Sequence, residues 1–122
     1  MLFRSLEWTA GCDVSFVGQP PRTLNQRMNL PNKLFESIMA GAPVVVARDN
    51  EQCRLVSAEG IGRCASIDDP ASVAEELAAL LRMPADEHAL LRDHCRSVAL
   101  ARYTWDGTAG DLVTLYRRLA AA

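Results

Sequence analysis

Apolar residues in this chain fall into short blocks, and the spacing inside each block predicts the element it forms. Leu2 to Ala10 predict a helix that Gly11 ends, and Val14 to Val17 predict a short buried strand. The following stretch, GQPPRTLNQRMN from Gly18 to Asn29, has no period and carries two prolines and two arginines. It predicts an exposed loop, and loops that leave parallel strands are where function concentrates. Leu34, Phe35, Ile38 and Met39, at spacings of one, three and four, share one face of a helix over about 31–40. Lys33, Glu36 and Ser37 fall on its other face. Pro31 suits the first helical position, Gly41 the left-handed stop, and Pro43 keeps the helix from restarting. Val44, Val45 and Val46 then run without a polar break, as in a parallel strand covered on both sides.

The second half repeats the alternation. A helix over about 51–59 leads to a strand over about 62–65. Asp69 caps an amphipathic helix with Pro70 at its first position and Val73, Leu77, Leu80 and Leu81 as its stripe. Two further helices run over about 85–103 and 105–119, and in the last one Leu112, Leu115, Tyr116 and Leu119 share a face. Strands alternating with helices predict an α/β fold: a Rossmann-like, doubly wound parallel sheet with right-handed crossovers. Only three strands are evident, which is thin for such a sheet.

Composition narrows the function classes. The 122 residues make one domain, able to bury roughly two-thirds of its unfolded surface. A net charge of −2 offers no basic face for nucleic acid. Cys12, Cys53, Cys64 and Cys95 stand at least eleven residues apart, so none has zinc-ligand spacing, and buried reduced thiols are expected. Glu7, Trp8 and Asp13 interrupt any apolar core of a signal peptide, and no run approaches the ~20 apolar residues of a membrane span. A cytoplasmic location is expected.

The chemistry points to the helix that starts near Pro31. Its first backbone N–H groups, at Asn32 and Lys33, lack intrahelical acceptors and are ready donors to an anion. Lys33 opposes the helix dipole there; either it meets an anionic ligand or its long stem carries the charge into water. Glu36 can face a hydroxyl-rich ligand or simply pair with Lys33 at i,i+3. Together they suit a phosphorylated, hydroxyl-rich molecule such as a nucleotide sugar. Arg22 and Arg27 in the loop are weaker candidates for a phosphate, and Asp49 or Asn50 serves to cap the next helix. Gly60-Ile61-Gly62-Arg63-Cys64-Ala65 fits G-x-G-x-x-A, but it follows a helical segment and opens none, which excludes dinucleotide binding. His88 and His94, six apart, lie on different helix faces, so no metal site is expected; no residue reads as a general base or nucleophile.

The stretch PNKLFESIMAGAPVV, from Pro31 to Val45, resembles the nucleotide-binding segment of the retaining GT-B glycosyltransferases of the "group 1" type, whose members read P-x-K-hydrophobic-x-E-x-M-A-x-G-x-P-V-V. DNEQCRLV (49–56), EGIG followed by DDPASVAEELAALL, and RYTWD (102–106) are similar to later pieces of that family in order. The resemblance implies transfer of a sugar from a nucleoside-diphosphate sugar to an acceptor hydroxyl in polysaccharide or glycolipid synthesis, without a cofactor. It implies that Glu36 accepts the ribose hydroxyls, with Lys33, Asn32 and Asn29 near the donor and Asp49 close by. Many retaining members carry a second glutamate eight positions earlier; Met28 stands there, leaving Asn29 or Arg27 to contact the sugar. A GT-B enzyme needs two Rossmann-like domains. Residues 1–122 are therefore expected to be the distal part of a donor-binding domain, inactive alone, with the acceptor domain absent. The full-length enzyme would be cytoplasmic or peripheral to a membrane. The alternative is a non-catalytic α/β module that binds a nucleotide or a protein and self-associates through an exposed sheet edge.

Overall fold

The computed structural model describes residues 3–122. They run in the order α1 (Phe3–Ala10), β1 (Ser15–Val17), α2 (Leu24–Met28), α3 (Asn32–Met39), β2 (Val44–Ala47), α4 (Glu51–Glu59), β3 (Gly62–Ala65), α5 (Pro70–Leu81), α6 (Ala85–Arg102) and α7 (Trp105–Ala120). The strands form a parallel sheet in the order β1-β2-β3. The expected mixed α/β architecture, a three-stranded parallel sheet flanked by helices, is therefore what the chain adopts.

The unbroken valines of β2 have a direct cause: every residue of that strand has zero exposure. Val44 and Val46 face a core with Val17, Leu34 and Ile38 of α3, Val56 of α4, and Cys95, Val98 and Ala99 of α6. Val45 faces the opposite way, toward Ala65 and Leu80, with Val73 and Leu77 of α5 packed alongside. A central strand with apolar layers on both faces has no use for alternation. The close pairing of β2 with β3 requires Gly62, opposite Val44 in the register, because a Cβ there would lie 1.9 Å from the Val44 carbonyl oxygen. Gly60, at φ 65°, is the left-handed cap of α4. The two glycines of the G-x-G-x-x-A run thus serve a helix end and a strand contact.

Several sequence expectations need correction. The stretch 18–29 is not structureless: Thr23 and Gln26 form a capping box that starts α2, Thr23 accepting from the Gln26 N–H and the Gln26 side chain accepting from the Thr23 N–H. Pro31 is the extended N-cap of α3, not its first helical residue. Ser37 is buried on the sheet side of α3, where its hydroxyl donates to the Lys33 carbonyl and lies 2.7 Å from Ser15 Oγ. A small hydroxyl that returns its proton to the preceding turn can be buried where a larger polar group could not. Leu81 is 56% exposed, since the turn that aims Val73, Leu77 and Leu80 inward carries it past the core. The apolar face of α7, including Leu112, Leu115, Tyr116 and Leu119, is exposed rather than packed. Leu2, placed in the first predicted helix, lies outside the described residues.

The expectation of four buried reduced thiols is also overturned. The β2–α4–β3 crossover lays α4 over β3 and brings the Cα atoms of Cys53 and Cys64 to 5.6 Å, where they form a disulfide. Cys12 is free and exposed; only Cys95 is a free buried thiol. Burial pushes the Cys95 thiol up to about 11, against a smaller opposing pull from Arg92, and its Sγ–H donates to the Ile61 carbonyl. The far ends of α4 and α6 are tied by Glu59, which accepts from Tyr103 Oη at 2.9 Å and pairs with Arg102.

Three outcomes are expected from this arrangement. Gly62→Ala should cost about 3–5 kcal/mol in urea unfolding, because backbone must separate to admit the methyl group; a loss within the range of ordinary surface substitutions would contradict the packing of β2 on β3. Reducing the Cys53–Cys64 bridge should lower stability by about 3 kcal/mol on the chain-entropy estimate for its short loop, and a Cys53→Ser/Cys64→Ser variant should melt identically with and without reductant. Under native conditions near pH 8, iodoacetamide should label Cys12 and spare Cys95, whose raised pKa keeps it protonated until well above that pH; peptide mass spectrometry reads the difference.

Candidate functional site

In a parallel α/β sheet the carboxyl ends of the strands and the amino ends of the following helices converge on one edge, and ligands are received there. On that edge a hollow of about 590 Å³ lies between the exit of β1, at Phe16, Val17, Gly18 and Gln19, and the start of α3, at Asn29, Pro31, Asn32 and Lys33. Its shape follows from local sequence. Val17 ends the strand in the core, and Gly18 lets the Phe16 ring fold back across the strand exit, where a Cβ would come within 2.2 Å of a ring carbon. Pro31, extended at φ −72° and ψ 150°, turns the chain into α3 and supplies no capping side chain. The N–H groups of Asn32 and Lys33 are thereby left as open donors at the positive end of the helix dipole.

Lys33 is exposed at this rim, and no ion pair to it exists among the described residues. The pairing of Lys33 with Glu36 that their spacing allows is accordingly not made. Glu36 is half-buried one turn further along α3, outside the wall of the hollow, and its carboxylate accepts no hydrogen bond from any described residue. Asn29 does line the hollow, but both ends of its amide are engaged: Oδ1 accepts from Gln52 Nε2 at 3.2 Å and Nδ2 donates to Gln19 Oε1 at 3.1 Å.

The weaker sequence candidates are placed elsewhere. Arg27 and Asp49 line a neighbouring hollow of about 430 Å³ at the start of α4, with Met28, Asn50 and Arg54. Arg27 Nε donates to the Pro21 carbonyl and so braces its own loop. Asp49 has φ 61°, the left-handed region, at a cost of order 1 kcal/mol for a non-glycine residue. That turn frees Asn50 to cap α4, its Oδ1 accepting from the Cys53 N–H at 2.8 Å. Arg22 Nη2 donates to Asp68 at 3.1 Å, joining the β1 loop to the loop after β3; both side chains are more than 70% exposed, so the pair contributes under about 1 kcal/mol.

Sequence reasoning missed Phe16, Gln19 and Gln52. The first two carried a usable signal, their position at the carboxyl end of a predicted parallel strand. Gln52 carried none, since a glutamine in a helical first turn is ordinarily solvated.

The wall of the hollow contains donors and apolar surface but no carboxylate and no histidine. Such a surface offers donors to an oxyanion and carries no carboxylate or imidazole for proton transfer. Among the described residues no group of three His, Cys, Asp or Glu side chains converges as a metal site. His88 and His94 instead donate Nε2–H to the carbonyls of Asp13 and Glu59, at 2.8 and 2.7 Å. No helix among the described residues is long and apolar enough to cross a membrane. Compared with protein-family models, curated proteins and solved structures, the chain matches none.

Proposed function

We propose that this chain is the nucleotide-sugar-binding portion of a glycosyltransferase, corresponding to part of the C-terminal, donor-binding domain of a GT-B enzyme. The observation that carries the reading is the hollow at the end of β1, faced by the uncapped start of α3 and by the unpaired Lys33. Phosphate groups are held in this way at helix N-termini, by open N–H donors and a local positive potential. The resemblance supports it further, because Pro31–Val45, the stretch that carries the family-like pattern, forms the lip of the hollow, α3 and the first half of β2. In this reading the diphosphate of the donor lies against Asn32 and Lys33, and the ribose reaches the otherwise unbonded carboxylate of Glu36. Asn29 lies at the sugar end with its amide held by Gln19 and Gln52, and Arg22, Arg27 and Asp49 border it without direct contact.

The reaction would move a sugar from a nucleoside diphosphate to an acceptor hydroxyl, with retention as the family implies. The role of these residues is electrostatic, holding the departing diphosphate; they offer no general base. The acceptor site would come from a separate domain. A second reading, a non-catalytic α/β module that associates with itself or another protein, draws on the exposed apolar face of α7 and on β1, a sheet edge with Phe16 51% exposed.

A protein-observed NMR titration with UDP, GDP, ADP and dTDP separates the two readings. One nucleotide should shift the amides of Gln19, Asn32, Lys33 and Glu36. Lys33→Ala should weaken that nucleotide about tenfold, equivalent to about 1.4 kcal/mol, and Glu36→Gln should weaken the nucleotide but not inorganic pyrophosphate. If none of the four moves these amides, the donor-site reading fails. Transfer to any acceptor by the chain alone would also contradict it.

A further inference from the structure

The buried amide of Gln52 lies outside the wall of the hollow. It sits in the first turn of α4 with zero exposure, and its Oε1 has no hydrogen-bond partner among the described residues. Its Nε2 donates to Asn29 Oδ1, and Asn29 Nδ2 donates to Gln19 Oε1, so three amides form a chain from the interior to the wall of the hollow. An amide chain has a direction. The same heavy-atom positions would accommodate the reverse order, with Gln19 donating to Asn29 and Asn29 to Gln52.

The buried end decides between the two. In the reverse order the Gln52 NH2 would be interior with both protons unanswered. In the order found, one of those protons is answered by Asn29, leaving one proton and a carbonyl oxygen unanswered instead of two protons. Unpaired buried N–H groups are rarer than under-satisfied carbonyls, and each unanswered donor costs its full desolvation. The burial of Gln52 therefore turns Asn29, and Asn29 turns Gln19. Since Gln19 Oε1 is consumed by Asn29, the Gln19 NH2 is the end left to face the hollow.

We propose that Gln52 is a positioning residue that sets the polarity of the site, making Gln19 a donor to the ligand. The inference rests on the donor-site reading for the ligand, but the direction of the amide chain stands without it. With Gln19 as donor, the donors facing the hollow are the Gln19 NH2, the Lys33 ammonium and the first N–H groups of α3, beside the exposed Asn32 side chain. A wall of donors selects an oxyanion, the diphosphate of the donor, over a hydroxyl-rich neutral sugar, which needs acceptors as well. Gln52 touches no ligand and lies in a different element from every residue that would.

The direction is read first without ligand, from side-chain amide hydrogen exchange by NMR. The Asn29 and Gln52 amide protons should be protected, and those of Gln19 should exchange as fast as those of Gln26, whose side chain also only accepts. A protected Gln19 amide overturns the proposal whatever the ligand does. Inorganic pyrophosphate is then titrated into wild type, Gln52→Glu, Gln19→Leu and the double variant. An ionised glutamate at position 52 can only accept, so in alkaline buffer, where even a buried carboxyl is ionised, it reverses the chain and turns the Gln19 oxygen toward the anion. Gln52→Glu should therefore weaken pyrophosphate about tenfold, Gln19→Leu by a similar factor, and Gln52→Glu should cost nothing further in the Gln19→Leu background. Equal loss from Gln52→Glu in both backgrounds would mean a merely structural role and would overturn the proposal. If Gln52→Glu does not fold, the Gln19→Leu variant decides: unchanged pyrophosphate affinity overturns the donor role of Gln19. If pyrophosphate leaves the Asn32 and Lys33 amides of wild type unmoved, the donor-site reading fails, and the amide direction is judged on exchange alone.

Discussion

The burial of β2 on both faces, with β3 pressed against it at Gly62, is the constraint on which the other elements depend. Each of its valines contributes on the order of 1.5–3 kcal/mol of burial relative to exposure, and all sit at zero exposure. Two helical layers take their positions from this strand: α3, α4 and α6 on Val44 and Val46, and α5 on Val45. The strand is only four residues long, so there is no slack in its register. A one-residue slip would exchange the faces and place Gly62 opposite the wrong carbonyl.

The candidate site inherits its precision from that core. α3 is held by Leu34 and Ile38, both at zero exposure, and by the contact of Ser37 with Ser15 in β1. Its free amino end is one turn away from these anchors, so its open N–H groups are fixed relative to the exit of β1 without being used by the protein. Rigid anchoring below and unpaired donors above are what a preorganised anion site requires. On the far side, α4 is secured by the Asn50 cap and by the Cys53–Cys64 bridge to β3. It presents Gln52 to Asn29 from within the molecule, which is how a helix that does not line the hollow influences its wall.

The loop 18–29 shows how local chemistry and long-range contacts share the work. The capping box of Thr23 and Gln26 is encoded within four residues and nucleates α2. The placement of α2 beside α4 comes from distant partners of its flanking residues, Asp68 for Arg22 and Gln52 for Asn29. The apolar face of α7 and the outer edge of β1 have no such partners among the described residues.

The α/β alternation, the boundaries of most elements, the left-handed stop at Gly41 and the start of α5 at Asp69-Pro70 were all legible in the sequence. These features depend on backbone sterics and on periodicities of two and 3.6, which act over a few residues. The uncapped start of α3 at Asn32 and Lys33 was legible for the same reason. The Cys53–Cys64 bridge, the inward turn of Ser37, the separation of Glu36 from Lys33 and the burial of Gln52 were not. Each depends on which residues the β2–α4–β3 crossover and the packing of α3 bring together from distant parts of the chain. The sequence by itself determined which elements form and that the start of α3 would carry open N–H donors; the tertiary structure decided which polar groups around them stay unclaimed, because hydrogen bonds are claimed by neighbours in space rather than in order.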